Sequence, residues 1–446
     1  MQQEEIGLQP DRPPAEIPTK LLNKNFLILW QGQFISQMGN QVHAVAMMFW
    51  IKHATGSATL MGALLMLASL PGVLLGPLGG TFADRHSRRK IIIFSDLFAG
   101  VAVLSLAILL FYLPTRTELI IIWLSSVSVI LSVITAAFGP AIGASIPDLV
   151  PRDKIAAANS WRQSSYQLSS FFGQGAGGIL FRVLGAPVLF LFDGLSYLLS
   201  ATCCLFVNIP QTFPEKATGF REVIRAFKSD TIEGMHYVWK RKGMRDLFFA
   251  ATLINFFFSP FATLLPFYVE DNLKATSDWF GYMLATLGVG ALLGYFFAGS
   301  VKPSGRGRTI IFVSCLIGIA AAFIAFGINT GTYTALLLMF IFGFLSGTVN
   351  IYVATILQST TPSEIRGRVF GLLGAISGGL MPIGMGLAGV IADLTGKNIP
   401  LIFSICGIIS LLVTIFLATL RDFREFVAFE PGKDDQSGST IAPDSV

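Results

Sequence analysis

Charge is scarce in this chain. Of 446 residues, 13% are charged and 53% are apolar, against roughly a quarter charged in an ordinary soluble domain. So little polar surface cannot cover a water-soluble globule. Cysteine and histidine are rarer still, with four of each. Cys203, Cys204, Cys315 and Cys406 all fall inside apolar runs, without the spacing of a disulfide framework or a zinc site, and read as packing residues. No G-x-x-x-x-G-K-[ST] phosphate loop occurs, so the chain does not hydrolyse ATP itself. Paired-histidine metal spacing and a serine nucleophile elbow are also missing, which argues against an enzyme and gives no reason to expect a metal or cofactor.

What is abundant is the long apolar run. A hydrocarbon layer of about 30 Å needs about 20 residues at a helical rise of about 1.5 Å each. Runs of that length lie at about 26–50, 58–82, 91–113, 119–143, 157–181 and 187–208 in the first half. In the second half they lie at about 247–269, 279–301, 309–328, 333–357, 368–392 and 399–420. The expected fold is therefore an all-α membrane protein of twelve transmembrane helices. The fifth run is the weakest, because it carries Arg162, Gln163, Gln167 and Gln174.

Basic residues test the count independently, since Lys and Arg accumulate in cytoplasmic loops. With both termini inside, the cytoplasmic segments hold 25 basic residues and the opposite side holds five: Lys52, Arg116, Arg182, Lys274 and Lys397. The net charge of +5 follows from this bias and calls for no nucleic-acid partner. Location in the cell inner membrane, with both termini cytoplasmic, is the expectation. The acidic, proline-containing start lacks the basic-then-apolar order of a cleavable signal peptide.

Five segments are expected: a disordered tail at 1–20, a six-helix bundle at 21–208, a cytoplasmic amphipathic linker at 209–246, a second six-helix bundle at 247–425 and a disordered tail at 426–446. The bundles repeat each other. A shift of 211 positions carries Pro151, Asp153, Gly173, Gly175 and Gly178 onto Pro362, Glu364, Gly384, Gly386 and Gly389. Such a duplication implies a pseudo-two-fold axis along the membrane normal with a cavity between the halves. Small residues at this spacing let helices approach closely.

The loop after the second run is the most specific signal. It reads Gly80-Thr81-Phe82-Ala83-Asp84-Arg85-His86-Ser87-Arg88-Arg89-Lys90, a small residue at a helix end, an acid one turn on and then a basic cluster. In this loop the chain resembles the major facilitator superfamily, and the topology, linker and duplication agree. Within that superfamily it is similar to drug and siderophore exporters related to macrolide efflux proteins. The similarity rests on Leu29 to Asn40, on Pro147 to Pro151 followed by Ala158-Asn159-Ser160, and on Phe192 to Tyr197. The resemblance implies alternating access, with Gly80, Asp84, Arg85, Arg88, Arg89 and Asp148 as gating residues. Asp84 would cap a helix of the other half near residue 367, while one of the arginines pairs with Asp148. The alternative is that the cluster is only a topology signal.

Helical spacing nominates a substrate path. Gln33, Gln37, Asn40 and Gln41 share a face of the first helix, and Gln163, Gln167, Ser170 and Gln174 share a face of the fifth. Polar stripes do not face lipid cheaply, so they either line the cavity or bond neighbouring helices. Asn255 and Asn350 offer polar points in the second half, and Phe256, Phe257 and Phe258 offer rings. Asp96, Asp193 and His43 are the proton-coupling candidates. Asp96 has an alternative place in a charge cluster with Arg88 and Arg162, and Asp193 an alternative pairing with Arg182. The expected function is secondary, proton-coupled export of a small amphipathic molecule: a drug, a macrolide-like compound or a siderophore. The protein would act as a monomer among membrane lipids. A lysophospholipid flippase, a uniporter and a non-transporting membrane sensor are the alternatives.

Overall fold

The computed structural model describes residues 20–211, 220–301 and 303–429, with the side chains of Pro77, Asp84, residues 220–228, Asp230, Ser363 and Glu364 left out of the description. The expected tail at 1–20, except Lys20, and most of the tail at 426–446 lie outside the described residues. Every regular element among those described is helical. The first half contains α1 (Lys24–Thr55), α2 (Ala58–Arg85), α3 (Arg88–Tyr112), α4 (Thr117–Leu149) and α5 (Ile155–Leu205). The second half contains α6 (Phe220–Lys240), α7 (Lys242–Phe267), α8 (Asp278–Ser300), α9 (Gly305–Ile328) and α10 (Thr332–Thr360). It continues with α11 (Ser363–Gly379), α12 (Met381–Leu394), α13 (Ile399–Thr419) and α14 (Arg421–Ala428).

Ten helical stretches are long and apolar enough to cross a membrane. Two of the expected runs are not among them as separate stretches. Helix α1 is long enough at 32 residues, but its glutamines and asparagine dilute its apolar character. The expected fifth and sixth runs are two helices that meet at a kink without an intervening loop, together the 51 residues of α5. At about 1.5 Å per residue that is more than twice a bilayer's apolar thickness. It does not run straight: Gly185 takes φ 75° and ψ 166°, a conformation that L side chains rarely adopt, and Pro187 follows. Contacts with α1 give the direction of the two arms. From Trp30 through Phe34 to Gln41, partners in the first arm rise from Ser165 through Ser169 to Gln174. From Gln33 through Asn40 to His43, partners in the second arm fall from Ser200 through Tyr197 to Asp193. The arms are antiparallel, and α1 lies against both.

Contacts between the halves are gathered at one face. Against α8, a Cβ added to Gly178 would lie 2.1 Å from the Ser277 carbonyl oxygen, and one added to Gly281 would lie 2.0 Å from that of Gly175. Between α2 and α12 the same arrangement recurs: Gly62 meets the Met385 carbonyl at 2.4 Å and Gly389 that of Ala58 at 2.2 Å. The shift of 211 that relates Gly175 and Gly178 to Gly386 and Gly389 therefore also relates two backbone-to-backbone seams. This face carries the sequence positions poor in basic residues. Toward the other face a Cβ at Gly76, Gly80, Gly139, Gly143, Gly367, Gly371, Gly374 or Gly378 would meet nothing within 4 Å. Among the described residues the halves are thus sealed at one end and parted at the other.

Two segment boundaries differ from expectation. The expected linker splits into α6 and the first turn of α7, and Gly243 approaches Asp422 and Phe426 so closely that any side chain there would clash. In the expected C-terminal tail, α14 continues to Ala428 and buries Phe423, Phe426 and Val427 against α7 and α9. Its three apolar side chains share a helical face, which the polar composition of 426–446 conceals.

Candidate functional site

A polar network fills the first half where α1, α3 and the second arm of α5 meet. Asp193, Ser196, Tyr197 and Ser200 follow one another at helical spacing on α5, and Gln33, Asn40 and His43 face them from α1. Asp96, from α3, is 1% exposed; it accepts from Ser200 Oγ at 2.6 Å and from Gln33 Nε2 at 3.4 Å. Gln33 Nε2 also donates to Ser200 Oγ at 3.0 Å. Tyr197 donates to Asn40 Oδ1 at 2.5 Å. Asp193 is fully buried with its Oδ2 2.8 Å from His43 Nδ1, and its Oδ1 has no hydrogen-bond partner. The His43 ring stands edge-on to Phe190, with centroids 4.7 Å apart. Carboxyl and imidazole are in direct hydrogen-bond contact, and the orphaned Oδ1 leaves one buried acceptor unused.

These contacts correct two alternative sequence readings. Asp96 does not join Arg88 and Arg162: its Oδ2 accepts from both Ser200 and Gln33 inside the bundle. Asp193 does not pair with Arg182, whose Nε instead lies 3.1 Å from Asp278 Oδ1 across the seam between α5 and α8. Gln33 does both: it lines a cleft between α1, α4 and α5, and its amide group holds α1 to α3 and α5.

The remaining polar stripe divides. Gln174 Nε2 donates to Gln41 Oε1 at 2.6 Å, and Gln174 also lines a recess of about 270 Å³ between the halves with Met48, Leu65, Phe258, Phe280 and Met385. Gln37, with Arg162, Trp30 and Ile142, lines a small cleft of about 30 Å³ between α1, α4 and α5. Gln163 and Gln167 are exposed. Asn255 and Asn350 come together on the wall of the larger cavity of about 410 Å³ inside the second half, among Ile254, Phe257, Phe258, Phe323 and Phe342. Phe258 and Leu287 belong to both this cavity and the inter-half recess, so the two spaces adjoin. Phe257 lines the cavity whereas Phe256 does not.

In the loop between α2 and α3, Arg88 is the arginine that pairs with Asp148: Nη1 lies 2.5 Å from Oδ2 and also donates to the Ala144 carbonyl at 2.8 Å. Arg89 instead donates to the Leu205 carbonyl at 2.5 Å, capping the end of α5. Arg85 borders a surface groove with His86 and Lys90. The Asp84 side chain lies outside the described residues.

Sequence reasoning missed the polar contacts that tie the halves together at the sealed face. Lys52 Nζ lies 2.6 Å from Glu270 Oε2 and 2.9 Å from Asp271 Oδ1, and His53 Nε2 lies 3.0 Å from the same Glu270 oxygen. Asp393 of α12 caps α2 of the other half, accepting from Ser57 Oγ at 2.9 Å, Thr59 N at 2.8 Å and Ala58 N at 3.1 Å. The available signal was the 211-position shift, which sets Asp393 opposite Arg182, both at the end of a glycine series.

Comparison with known proteins agrees with this architecture. A family profile described as Major Facilitator Superfamily matches residues 29–382 and 247–438. Macrolide efflux protein A of Streptococcus pyogenes is 26% identical over 403 residues, covering 90% of this chain and 96% of that protein. The multidrug efflux pump Tap of Mycolicibacterium fortuitum is 26% identical over 395 residues, with 86% and 93% covered. Among solved structures, a peptide transporter POT superposes with a TM-score of 0.71 at 14% identity over 92% of this chain and 97% of that one. A bacterial homologue of the lysosomal transporter Spinster in an inward-facing, unoccupied conformation superposes with a TM-score of 0.61 at 15% identity, with 92% and 97% covered.

Proposed function

The chain belongs to the Major Facilitator Superfamily, and from that premise we propose that it is a proton-coupled exporter of a small amphipathic molecule, working by alternating access. The observation that carries this reading is the one-sided seam. Helices α2 with α12 and α5 with α8 meet backbone to backbone at one face, while glycines toward the other face touch nothing. A cavity that opens to one side, between halves related by an internal repeat, is the arrangement that rocking transport requires.

On this reading α1, both arms of α5 and the joined α11 and α12 complete twelve spans in two six-helix bundles. The abundance of basic residues places the parted end and both termini on the cytoplasmic side of the inner membrane. The protein acts as a monomer. Asp193 with His43, and Asp96 with Ser200, carry the coupling protons, since ionisable groups buried this deeply inside a membrane bundle are costly unless they serve. Gly80, Asp84, Arg85, Arg88, Arg89 and Asp148 govern closure of the cytoplasmic end. Substrate passes Gln37, Gln41 and Gln174 and the chamber bearing Asn255 and Asn350. Efflux of macrolides and other drugs by its relatives supports an amphipathic substrate.

The test is proton flux in proteoliposomes under an imposed pH gradient, challenged with macrolides, siderophores and lysolipids. Substrate-dependent proton release supports the antiporter. Substrate movement that is indifferent to the gradient would return Asp96 and Asp193 to structural roles and leave a uniporter.

A further inference from the structure

The charges on the inner walls are lopsided. Three interior spaces have been described: the chamber of about 410 Å³ in the second half, the recess of about 270 Å³ between the halves, and the cleft between α1, α4 and α5. No carboxylate lines any of them among the described residues, and one formal charge does, the guanidinium of Arg162. The buried acids face elsewhere: Asp96 toward Ser200 and Gln33, Asp193 toward His43. Arg162 stands on the first arm of α5, exposed, flanked by Trp161 and close to the cleft-lining Gln37. The Oε1 of Gln37 is buried and has no hydrogen-bond partner. A fixed cation and an unused acceptor therefore meet in one cleft, whose other walls are apolar at Phe26, Leu29, Ile142 and Ile146 and carry Trp30, Gln33 and Ser165.

We propose that Arg162 and Gln37 form a head-group subsite, and that the transported molecule is an anionic amphiphile with an acidic group and an apolar, ring-bearing body. This rests on the transporter reading given above. When the cavity occludes and water leaves, the guanidinium must be compensated, since an unpaired cation in a medium of low dielectric is expensive. A carboxylate on the substrate supplies that compensation in bidentate form. A separate O–H or N–H donor beside the carboxylate on the substrate satisfies Gln37 Oε1. The Phe-walled chamber with Asn255 and Asn350 suits the uncharged remainder. A cationic amphiphile would meet repulsion at Arg162 and no carboxylate at any of these walls.

The experiment uses the full-length protein in nanodiscs and three probes that share one ring system: 1-pyrenebutyrate, 1-pyrenemethanol and 1-pyrenemethylammonium. Binding is read as energy transfer from tryptophan, for which Trp30 and Trp161 are well placed, with ring centroids 5.2 Å apart beside Arg162. Wild type is expected to bind the anion at least tenfold more tightly than the cation. Arg162→Gln should lose about tenfold for the anion and leave the neutral alcohol unchanged, while Arg162→Lys keeps most of the preference. A wild type that prefers the cation, or an Arg162→Gln variant that weakens all three probes alike, overturns the subsite. Each variant is checked for a monodisperse elution profile, so misfolding is not mistaken for loss of the head group. The same probes in proteoliposomes separate the two readings: head-group selectivity without movement under any gradient would uphold the subsite and overturn transport.

Discussion

At the scale of single residues, the centre of the first half is governed by hydrogen-bond satisfaction. Asp96 holds its place through Ser200 and Gln33, and both donors come from neighbouring helices. Removing one leaves a buried acceptor short of a partner, a penalty of about 1–3 kcal/mol. Ser200→Ala should therefore lower the thermal midpoint of the purified protein, and Ser200→Thr should restore much of it. Asp193→Asn makes a different prediction. The amide keeps the size and polarity of the side chain but cannot release a proton, so substrate-driven proton flux in proteoliposomes should vanish. Downhill movement of substrate should persist. Loss of both at normal thermal stability would instead place Asp193 on the substrate path. Residue-level chemistry was partly legible in the sequence: the identities of Asp96, Asp193, His43 and the amides stood out against an apolar background. Their partners did not, because helical spacing gives the face of a residue but not which neighbouring helix meets that face. Gln33 is the instructive instance, a member of a polar stripe whose amide group turns out to be interhelical glue.

At the scale of helices, glycine decides which pairs can touch. Gly178 and Gly389 hold pseudo-equivalent positions, each within 2.2 Å of a facing carbonyl if a Cβ is built. Replacing either by alanine forces α5 from α8, or α12 from α2, at the sealed end. Gly178→Ala and Gly389→Ala should each shift the population toward the state open at that face. Alkylation of a cysteine introduced at position 65, which lines the inter-half recess, should accordingly become faster from the side poor in basic residues. Alanine at Gly374, where nothing lies within 4 Å, serves as the control and should change little. Gly185→Ala strains φ 75° by about 1–2 kcal/mol, loosening the turn between the two arms of α5. The repeat that locates these seams was readable from Gly173, Gly175 and Gly178 alone. The turn at Gly185 was readable only as a boundary between apolar runs, since the two arms follow one another with no polar loop to mark it.

For the whole molecule, the balance between its two ends depends on a small set of ties at the sealed face. Lys52 is 9% exposed and bridges to Glu270 and Asp271 of the other half, so the pair is shielded better than a surface ion pair. Lys52→Gln leaves Glu270 short of a cation and should raise the fraction open at that face, measured as a longer distance between spin labels placed across it. Combining Lys52→Glu with Glu270→Lys should recover much of the wild-type distance. The overall architecture was legible because a bilayer imposes length and charge rules that a sequence cannot hide. The ties were not, because a lone lysine or aspartate at a helix end looks like any loop charge until its partner is in view.

The two seams are alike in backbone and unlike in what fastens them. Beside α5 and α8 the fastening is a partly exposed Arg182 reaching the buried Asp278, with Ser277 Oγ donating to the Gly178 carbonyl at 3.1 Å, whereas beside α2 and α12 it is Asp393 seated on the amides and hydroxyl that begin α2. The exposed guanidinium of the first leaves that pair open to screening by salt, while a carboxylate capping a helix start holds by several directed bonds. Were the halves to rock as proposed, the α5 and α8 edge would yield first, and the α2 and α12 edge would act as the hinge line about which they turn. A protein descended from a symmetric duplication would in this way swing like a door rather than part evenly, with ionic strength setting how readily the free edge lifts.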